Sequence, residues 1–437
     1  MKRNRWLALP LALVLLCTGC SMDVESFLQP PKTGGEQQAV QSALETYLQD
    51  KGHSRYTLEH PVEGEHTAAF LLCDGMGYPV EEGQEPYRAV AFYSLPSAPE
   101  ETHIHLLTRS EEGWETMADT LGDGVDIRQV AFGDLNGDGT AELVTGWDTY
   151  YNRVSRLAVY AQDENLTRLS EEQTYSSLFV GDITATGEDS LVVFTIAGAG
   201  QVIASLQRIQ EDRLEVLDTV NLDGDIQQFG SRILCRLAAG VHGLYVEGVR
   251  SDNTTVTELI YYDEGWLHAP FYDEKTNRTT VTTRYGRLSA QDIDGDTRVE
   301  IPTPILPEGQ TEVGGATMIQ WRTWDYAERS WHHHSYTLTN QVDGYLVTLD
   351  DGLHTRVQAE YDEKTHTLKL TDTAKKRGFL WLVVGQAQGE APAAGLESLR
   401  LFSAAEEVVS YFAWYDPTVL EEEKVRYMVT RLTREGG

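Results

Sequence analysis

The chain is predicted to be mainly β: a β-propeller of about five four-stranded blades, followed by a small α+β domain. Three observations predict it. Short apolar runs rich in strand formers alternate with polar turns along most of the 437 residues. A unit of strand, loop, strand and hairpin returns at intervals near fifty residues. An acidic loop occurs twice, as Asp134-Leu-Asn136-Gly-Asp138-Gly139-Thr140-Ala-Glu142 and, 158 residues on, as Asp292-Ile-Asp294-Gly-Asp296-Thr-Arg298-Val-Glu300.

The N-terminus sets the expected compartment. Met1 to Arg5 is a basic start, Trp6 to Leu16 is an apolar run of eleven, and Cys17-Thr18-Gly19-Cys20 follows. Such a run is too short for a permanent span, so residues 1–19 read as a secretory signal peptide. Gly19-Cys20 after Leu15-Leu16 resembles a bacterial lipobox, with Cys17 where a Leu is usual and Leu16 one step further back. The resemblance implies that Cys20 is diacylated and holds the chain to the extracytoplasmic face of a bacterial cell membrane. Loss of residues 1–19 removes Lys2, Arg3 and Arg5 and no acidic residue, so the formal charge of −33 becomes −36. A surface of that sign repels nucleic acid and anionic headgroups, which leaves anchoring to the acyl chains. Of the remaining cysteines, Cys73 and Cys235 are open to two readings, one long-range disulfide or two buried strand thiols.

Residues 20–35 form the expected tether, since Pro30-Pro31 and Gly34-Gly35 oppose regular structure. Over 36–52, Val40, Ala43, Leu44, Tyr47 and Leu48 share one helical face and Gly52 ends the run, giving one amphipathic helix.

In each acidic loop, oxygen side chains at positions 1, 3 and 5, a carbonyl at 7 and a carboxylate at 9 can close around a hard cation that takes six to eight oxygens. The candidate ligands are Asp134, Asn136, Asp138, Thr140 and Glu142 for one structural Ca²⁺, and Asp292, Asp294, Asp296, Arg298 and Glu300 for a second, with Thr140 and Arg298 acting through their carbonyls. An acidic turn without metal is the alternative, because Asp, Asn and Gly favour turns by themselves. An EF-hand is excluded: position 12 is Thr145 or Thr303 rather than Glu, and the flanks are strand-like. Phe132-Gly-Asp134 entering and Glu142-Leu-Val leaving resemble the FG-GAP/VCBS repeat, the unit of integrin-alpha-type propellers. That resemblance implies a propeller over residues 55–335, specific in two units and degenerate in three.

One degenerate unit keeps Asp182, Thr184 and Thr186 between Leu178-Phe-Val-Gly181 and Leu191-Val-Val-Phe194. Another joins Ala68 to Leu72 through Asp74-Gly75 to Ala89 to Tyr93, and a third, from Arg232-Ile-Leu-Cys-Arg236 to Gly243-Leu-Tyr-Val-Glu247, has no acidic loop. Between the loops, a strand, a turn and an apolar anchor recur at Trp114, Leu166, Leu214, Trp266 and Trp331, spaced 52, 48, 52 and 65 residues apart. Four strands per unit make one blade. Residues 336–437 break the period and read as an α+β domain. Its expected strands are Tyr345–Leu349, Val357–Tyr361, Thr367–Leu370 and Phe379–Val384. A helix is expected over Ala404–Trp414, and a closing strand over Lys424–Leu432.

Catalytic signatures such as Gly-x-Ser-x-Gly, His-Glu-x-x-His and the phosphate loop are missing from the sequence, so the chain is expected to be no enzyme. His332 and His334 share a strand face able to chelate a transition ion, but no acidic or Cys partner lies at ligand spacing, and a half-exposed outer strand accounts for them. Gly198-Ala-Gly200 reads as a turn. Tyr150-Tyr151 and Trp321 to Trp331 are candidate contact aromatics, with burial as the bland alternative. The expected function is a membrane-anchored calcium-binding module for adhesion or envelope scaffolding, with a protein or polysaccharide ligand. The alternative is a propeller-based enzyme acting on a glycan, its site unseen in sequence. If Cys20 is the acylated residue, Cys20→Ser will shift the chain from the detergent phase to the aqueous phase in Triton X-114 partitioning; a wild-type mature N-terminus elsewhere would remove the reading.

Overall fold

The computed structural model describes residues 35–81, 83–149, 155–285, 288–305, 316–350, 352–385, 389–403 and 409–432. The expected signal peptide, Cys20, the tether before residue 35, and Tyr150-Tyr151 lie outside them. The described chain is mainly β. Strands form a succession of antiparallel sheets, and two helices accompany them, Gly35–Asp50 and Glu422–Met428.

The sheets follow chain order. The first holds strands Thr57–Glu59, Phe70–Cys73, Arg88–Leu95, Ala98–Ser110 and Gly113–Leu121. The second runs from Asp126–Gly133 to Gln173–Tyr175, the third from Ser177–Gly181 to Arg213–Asn221, and each has four strands in sequence order. The fourth is Ile226–Ala238 to Trp266–His268, joined by Arg284–Tyr285. The fifth is Ile301–Pro304, Ala316–Asp325, Ser330–Asn340 and Tyr345–Leu349, with Val429–Arg431 added at its edge. Strands between Val357 and Tyr415 make a sixth. No sheet pairs its last strand with its first among the described residues. The anticipated border at residues 335–336 falls inside the strand Ser330–Asn340.

Successive sheets share cores, and strand alternation explains how. Side chains along a strand point to opposite faces in turn. Val90 and Phe92 enter a core with Leu143 and Trp147 of the second sheet, whereas their neighbours Ala89, Ala91 and Tyr93 meet Val40, Leu44 and Leu48 of the N-terminal helix. In the third sheet Leu191 and Val193 face the second while Val192 and Phe194 face the fourth. Tyr245 and Tyr261 of the fourth lie with Ile301 and Trp331 of the fifth. The sixth sheet packs Leu368, Leu370 and Leu382 against Leu338 and Val347 of the fifth. Each central sheet is therefore covered on both faces, which is why inner strands such as Glu142–Asp148 and Ser190–Ile196 are buried nearly throughout.

Several expectations change here. Ser410–Tyr415 is a strand, not the end of a helix, because Tyr411 and Ala413 face the sixth-sheet core at a period of two. Glu422–Met428 is a helix, not a strand; Val425 and Met428, three apart, are its buried residues, and only Val429–Arg431 is extended. Trp266 is 66% exposed and its neighbour Leu267 is the buried anchor. Trp321 is fully buried and belongs to the core, while Trp324 and Trp331, partly buried, pack edge to face against the core shared by the fourth and fifth sheets. Cys73 and Cys235 are free thiols, each pushed up to about 12 by burial. Gly198 and Gly200 turn the chain between two strands, with a Gln201 N–H to Gly198 carbonyl bond of 3.0 Å.

Polar side chains complete the fourth sheet. Arg284 pairs with Glu247 at 2.5 Å and Arg250 with Asp223, all four buried. Glu258, fully buried, accepts from the Asp223 N–H at 2.9 Å and the Thr279 hydroxyl at 2.7 Å through one oxygen, while the other has no partner. Burial first, and the Asp223 charge after it, push Glu258 up to about 7. A carboxyl whose folded pKa exceeds its ordinary value favours the fold while protonated, and that contribution is lost as pH rises from about 4.5 to 7. Glu258→Gln keeps the acceptor and removes the titration. The urea midpoint of the variant is expected to fall less than that of wild type between pH 5 and pH 8, by up to about 3 kcal/mol in stability; parallel curves would refute the assignment.

Candidate metal centre

Each acidic loop closes two antiparallel strands or strand ends, and the pairing sets the loops in register. Gly133 opposes Glu142, Gln291 opposes Glu300, and in the degenerate unit Gly181 opposes Ser190. Position 1 organises all three. Asp134 accepts the N–H groups of Gly137, Asp138 and Gly139 at 2.7, 3.1 and 2.7 Å. Asp292 accepts those of Gly295, Asp296 and Thr297 at 2.7, 3.2 and 2.8 Å. Asp182 keeps two, from Thr186 at 3.0 Å and Gly187 at 2.9 Å. Bending the chain this tightly requires positive φ at positions 4 and 6. Gly137 and Gly139 supply it without steric cost, and Gly295 does so at position 4, whereas Thr297 (φ 72°) and Ala185 (φ 54°) hold it as strained residues.

Positions 3, 5 and 9 repeat as closely. Asn136 Oδ1 accepts the Asp138 N–H at 2.8 Å, and Asp294 Oδ1 that of Asp296 at 3.2 Å. Asp138 accepts from Thr140 at 2.7 Å and Asp296 from Arg298 at 2.8 Å, which fixes position 7 beside the ring. Glu142 Oε2 receives the Leu135 N–H at 2.8 Å, and Glu300 Oε2 receives that of Ile293 at 3.0 Å. Both Glu side chains are nearly or wholly buried and carry about 7 as their pKa, raised first by burial and then by their loops' aspartates. A divalent cation would supply the positive charge that two such rings lack.

The fit differs between loops. Oxygens of Asp292, Asp294 and Asp296 lie within 4.8 Å of one another. In the first loop the Asn136 amide spans the gap, donating to Asp138 Oδ2 at 3.1 Å and Glu142 Oε1 at 2.9 Å. At Glu300 the corresponding Oε1 is buried with no hydrogen-bond partner. These donor sets fit a hard divalent ion, with the carboxylates as anionic ligands and the carbonyls of Thr140 and Arg298 placed at position 7. The third loop does not fit, since Thr184 and Thr186 bond to each other at 2.9 Å and Ser190 stands where Glu would. Neighbouring loops are also linked: Asp189 accepts the Asp134 N–H at 3.2 Å, and the Met76 carbonyl accepts that of Ala141 at 2.8 Å.

Sequence reasoning missed three constellations. His332 and His334 do not act together: His332 Nε2 meets Glu328 at 2.9 Å, and His334 Nε2 meets Asp294 at 3.2 Å. Asp119 gathers Tyr93, His103 and His105 at 2.8, 2.9 and 2.8 Å. Burial pulls Asp119 up, but the bonds from His105, Tyr93 and His103 outweigh it and hold the carboxyl below its usual range. His105 is fully buried beneath Tyr47, so this cluster is structural. Asp343, 23 residues from His366 in sequence, bonds its Nδ1 at 2.6 Å and the Tyr361 hydroxyl at 2.8 Å, at the rim of a cleft shared with Gly385, Tyr411 and Arg431. There a carboxylate orients a half-exposed imidazole, an arrangement able to move a proton. His103 with His105 and His332 with His334, each pair two apart on a strand, left a trace in the sequence; Asp343 with His366 left none.

No family model matches the chain, and no curated protein matches it. Among solved structures it is similar to a rhamnogalacturonan lyase of Bacillus licheniformis, at 12% identity and TM-score 0.32, over 79% of this chain and 84% of that one. The Dos1 propeller is similar at 10% and 0.32, over 72% and 70%. An exo-β-1,3-galactanase of Phanerochaete chrysosporium is similar at 7% and 0.26, over 82% and 96%. Likeness of this size carries no argument about chemistry. The expectation of a chain without enzymatic activity is withdrawn, since it rested on missing motifs alone; two of these three similar structures are glycan-acting enzymes. Missing motifs do not exclude a site, because catalytic groups can assemble in space from distant segments, and the turns that carry Asp343 and His366 bring a carboxylate and an imidazole together in that way.

For the loops, the expected outcome is that millimolar Ca²⁺ raises the melting temperature by a few degrees, as about 3 kcal/mol of linkage at a hundredfold excess over Kd implies. Asp138→Ala is expected to reduce that rise, while Thr186→Ala keeps all of it. Calorimetry without Ca²⁺ heat at millimolar concentration would overturn it.

Proposed function

We propose that this chain is a calcium-binding, propeller-type lipoprotein, anchored through Cys20 outside the bacterial membrane, that engages glycan polymers. The supporting observation is one loop geometry at three corresponding hairpins, acidic in two and replaced by hydroxyls in the third. Recurrence in register is what FG-GAP/VCBS-type blades would produce, and five successive sheets with shared cores are the blades of this reading. The blade region then extends from residue 55 to about 349 rather than 335, because Tyr345–Leu349 belongs to the fifth sheet. The metal loops stiffen blade ends, and recognition falls to the loops and clefts that coordination leaves free to vary.

A glycan-cleaving activity is the second reading, and the Asp343–His366 pair at an open cleft favours it. The names of the similar lyase and galactanase give the substrates to try first. The mature protein is tested on rhamnogalacturonan and β-1,3-galactan with Ca²⁺ and with EDTA, scoring both retention and newly formed chain ends. Retention lost in EDTA supports engagement, and products abolished by His366→Ala support cleavage. Neither retention nor products on any polysaccharide would sink the glycan reading.

A further inference from the structure

His334 reaches the second acidic loop because of a register fault. In the fifth sheet Trp321 opposes Ser335 and Arg322 opposes His333, so His334 is the extra residue of a β-bulge. A bulge breaks alternation and re-aims a side chain. This one carries the imidazole to the loop, with Nε2 3.2 Å from Asp294 Oδ2 and Nδ1 3.8 Å from Glu300 Oε1. Glu300 is wholly buried, and the latter oxygen accepts no hydrogen bond, since His334 lies beyond bonding distance. A buried acceptor left without a donor costs about 1–3 kcal/mol, and a bound cation would remove that cost.

One ligand atom each from Asp294, Glu300 and His334 lies within 4.8 Å of the others, a spread that small side-chain rotations bring onto one ion. The geometry points to a transition-metal site in which Asp294, Glu300 and His334 bind a borderline divalent ion of the Zn²⁺ class. Ca²⁺ takes oxygen ligands only, whereas an imidazole with two carboxylates is a three-ligand set that Zn²⁺ completes with water. The first loop has an Asn amide where this one has the imidazole, so the two loops separate by metal: oxygen ligands for Ca²⁺ at Asp134, mixed ligands at Asp292. The inference deepens the cation reading of the Asp292 loop and rests on it.

The test is calorimetric titration of the full mature chain with Zn²⁺ and, separately, with Ca²⁺, supported by the visible absorption of Co²⁺. Wild type is expected to bind one Zn²⁺ at micromolar or lower concentration. His334→Ala should weaken this at least tenfold and remove the Co²⁺ bands, while His332→Ala changes neither. Ca²⁺ heat from the Asp134 loop should survive His334→Ala and fall in Asp138→Ala. His334→Gln keeps a polar side chain of similar reach and guards against a folding defect; it too should lose Zn²⁺. Zn²⁺ binding that persists in His334→Ala, or that is lost only in His332→Ala, overturns the inference. Two Ca²⁺ per chain with no Zn²⁺ heat overturns it while leaving calcium at both loops, and no heat from either ion removes both readings.

Discussion

Burial of sheets on both faces is the constraint from which the rest of this fold follows. A strand such as Arg88–Leu95 has no solvent side between its ends, so its residues divide between two cores by parity. Variation in side-chain chemistry is thereby pushed to the hairpins and to sheet edges. Trp147 shows how tight the arrangement is: its indole is fully buried, bonds to Thr145 at 2.8 Å, and lies against Gly122, where a Cβ would strike the ring, while a Cβ at Gly124 would strike the Trp147 Cβ and the Asp148 carbonyl. Shared cores also transmit position, because a loop that closes one sheet is held by atoms of the next.

The acidic loops illustrate two ways of holding the same turn. An aspartate at position 1 draws two to four backbone N–H groups onto one carboxylate, and that hydrogen bonding alone shapes the turn, as Asp182 demonstrates without acids at positions 3, 5 and 9. What the two richer loops add is charge of one sign at close quarters. A buried Glu with aspartates beside it is unfavourable unless it is protonated or a cation compensates it. Stability of the turn and affinity for metal are therefore separable properties of one motif.

How much was legible in the sequence follows from range. Local patterns were readable: the strand-loop-strand units, the helical face of Val40, Leu44 and Leu48, and the ligand spacing of both loops. Sites built across strands were not. Nothing in the run from Trp331 to His334 signals that a bulge turns one imidazole toward Asp294, and nothing near Asp343 points to His366. The C-terminal errors have a different cause. Short apolar stretches such as Val409 to Trp414 satisfy helical and strand periodicity alike, and the sheet partner decides between them.

The edge strand Val429–Arg431 joins Tyr345–Leu349 across about eighty intervening residues, within which the whole sixth sheet is built. In topological terms the sixth sheet is an insertion into the fifth rather than an appendage after it. Closing that loop is entropically expensive and comes late in folding. During synthesis the fifth sheet stays one strand short, its edge at Tyr345–Leu349 open, until residue 431 has emerged. A nascent chain arrested anywhere inside the insertion would therefore present an unpaired β-edge, the kind of surface on which chains aggregate or chaperones act.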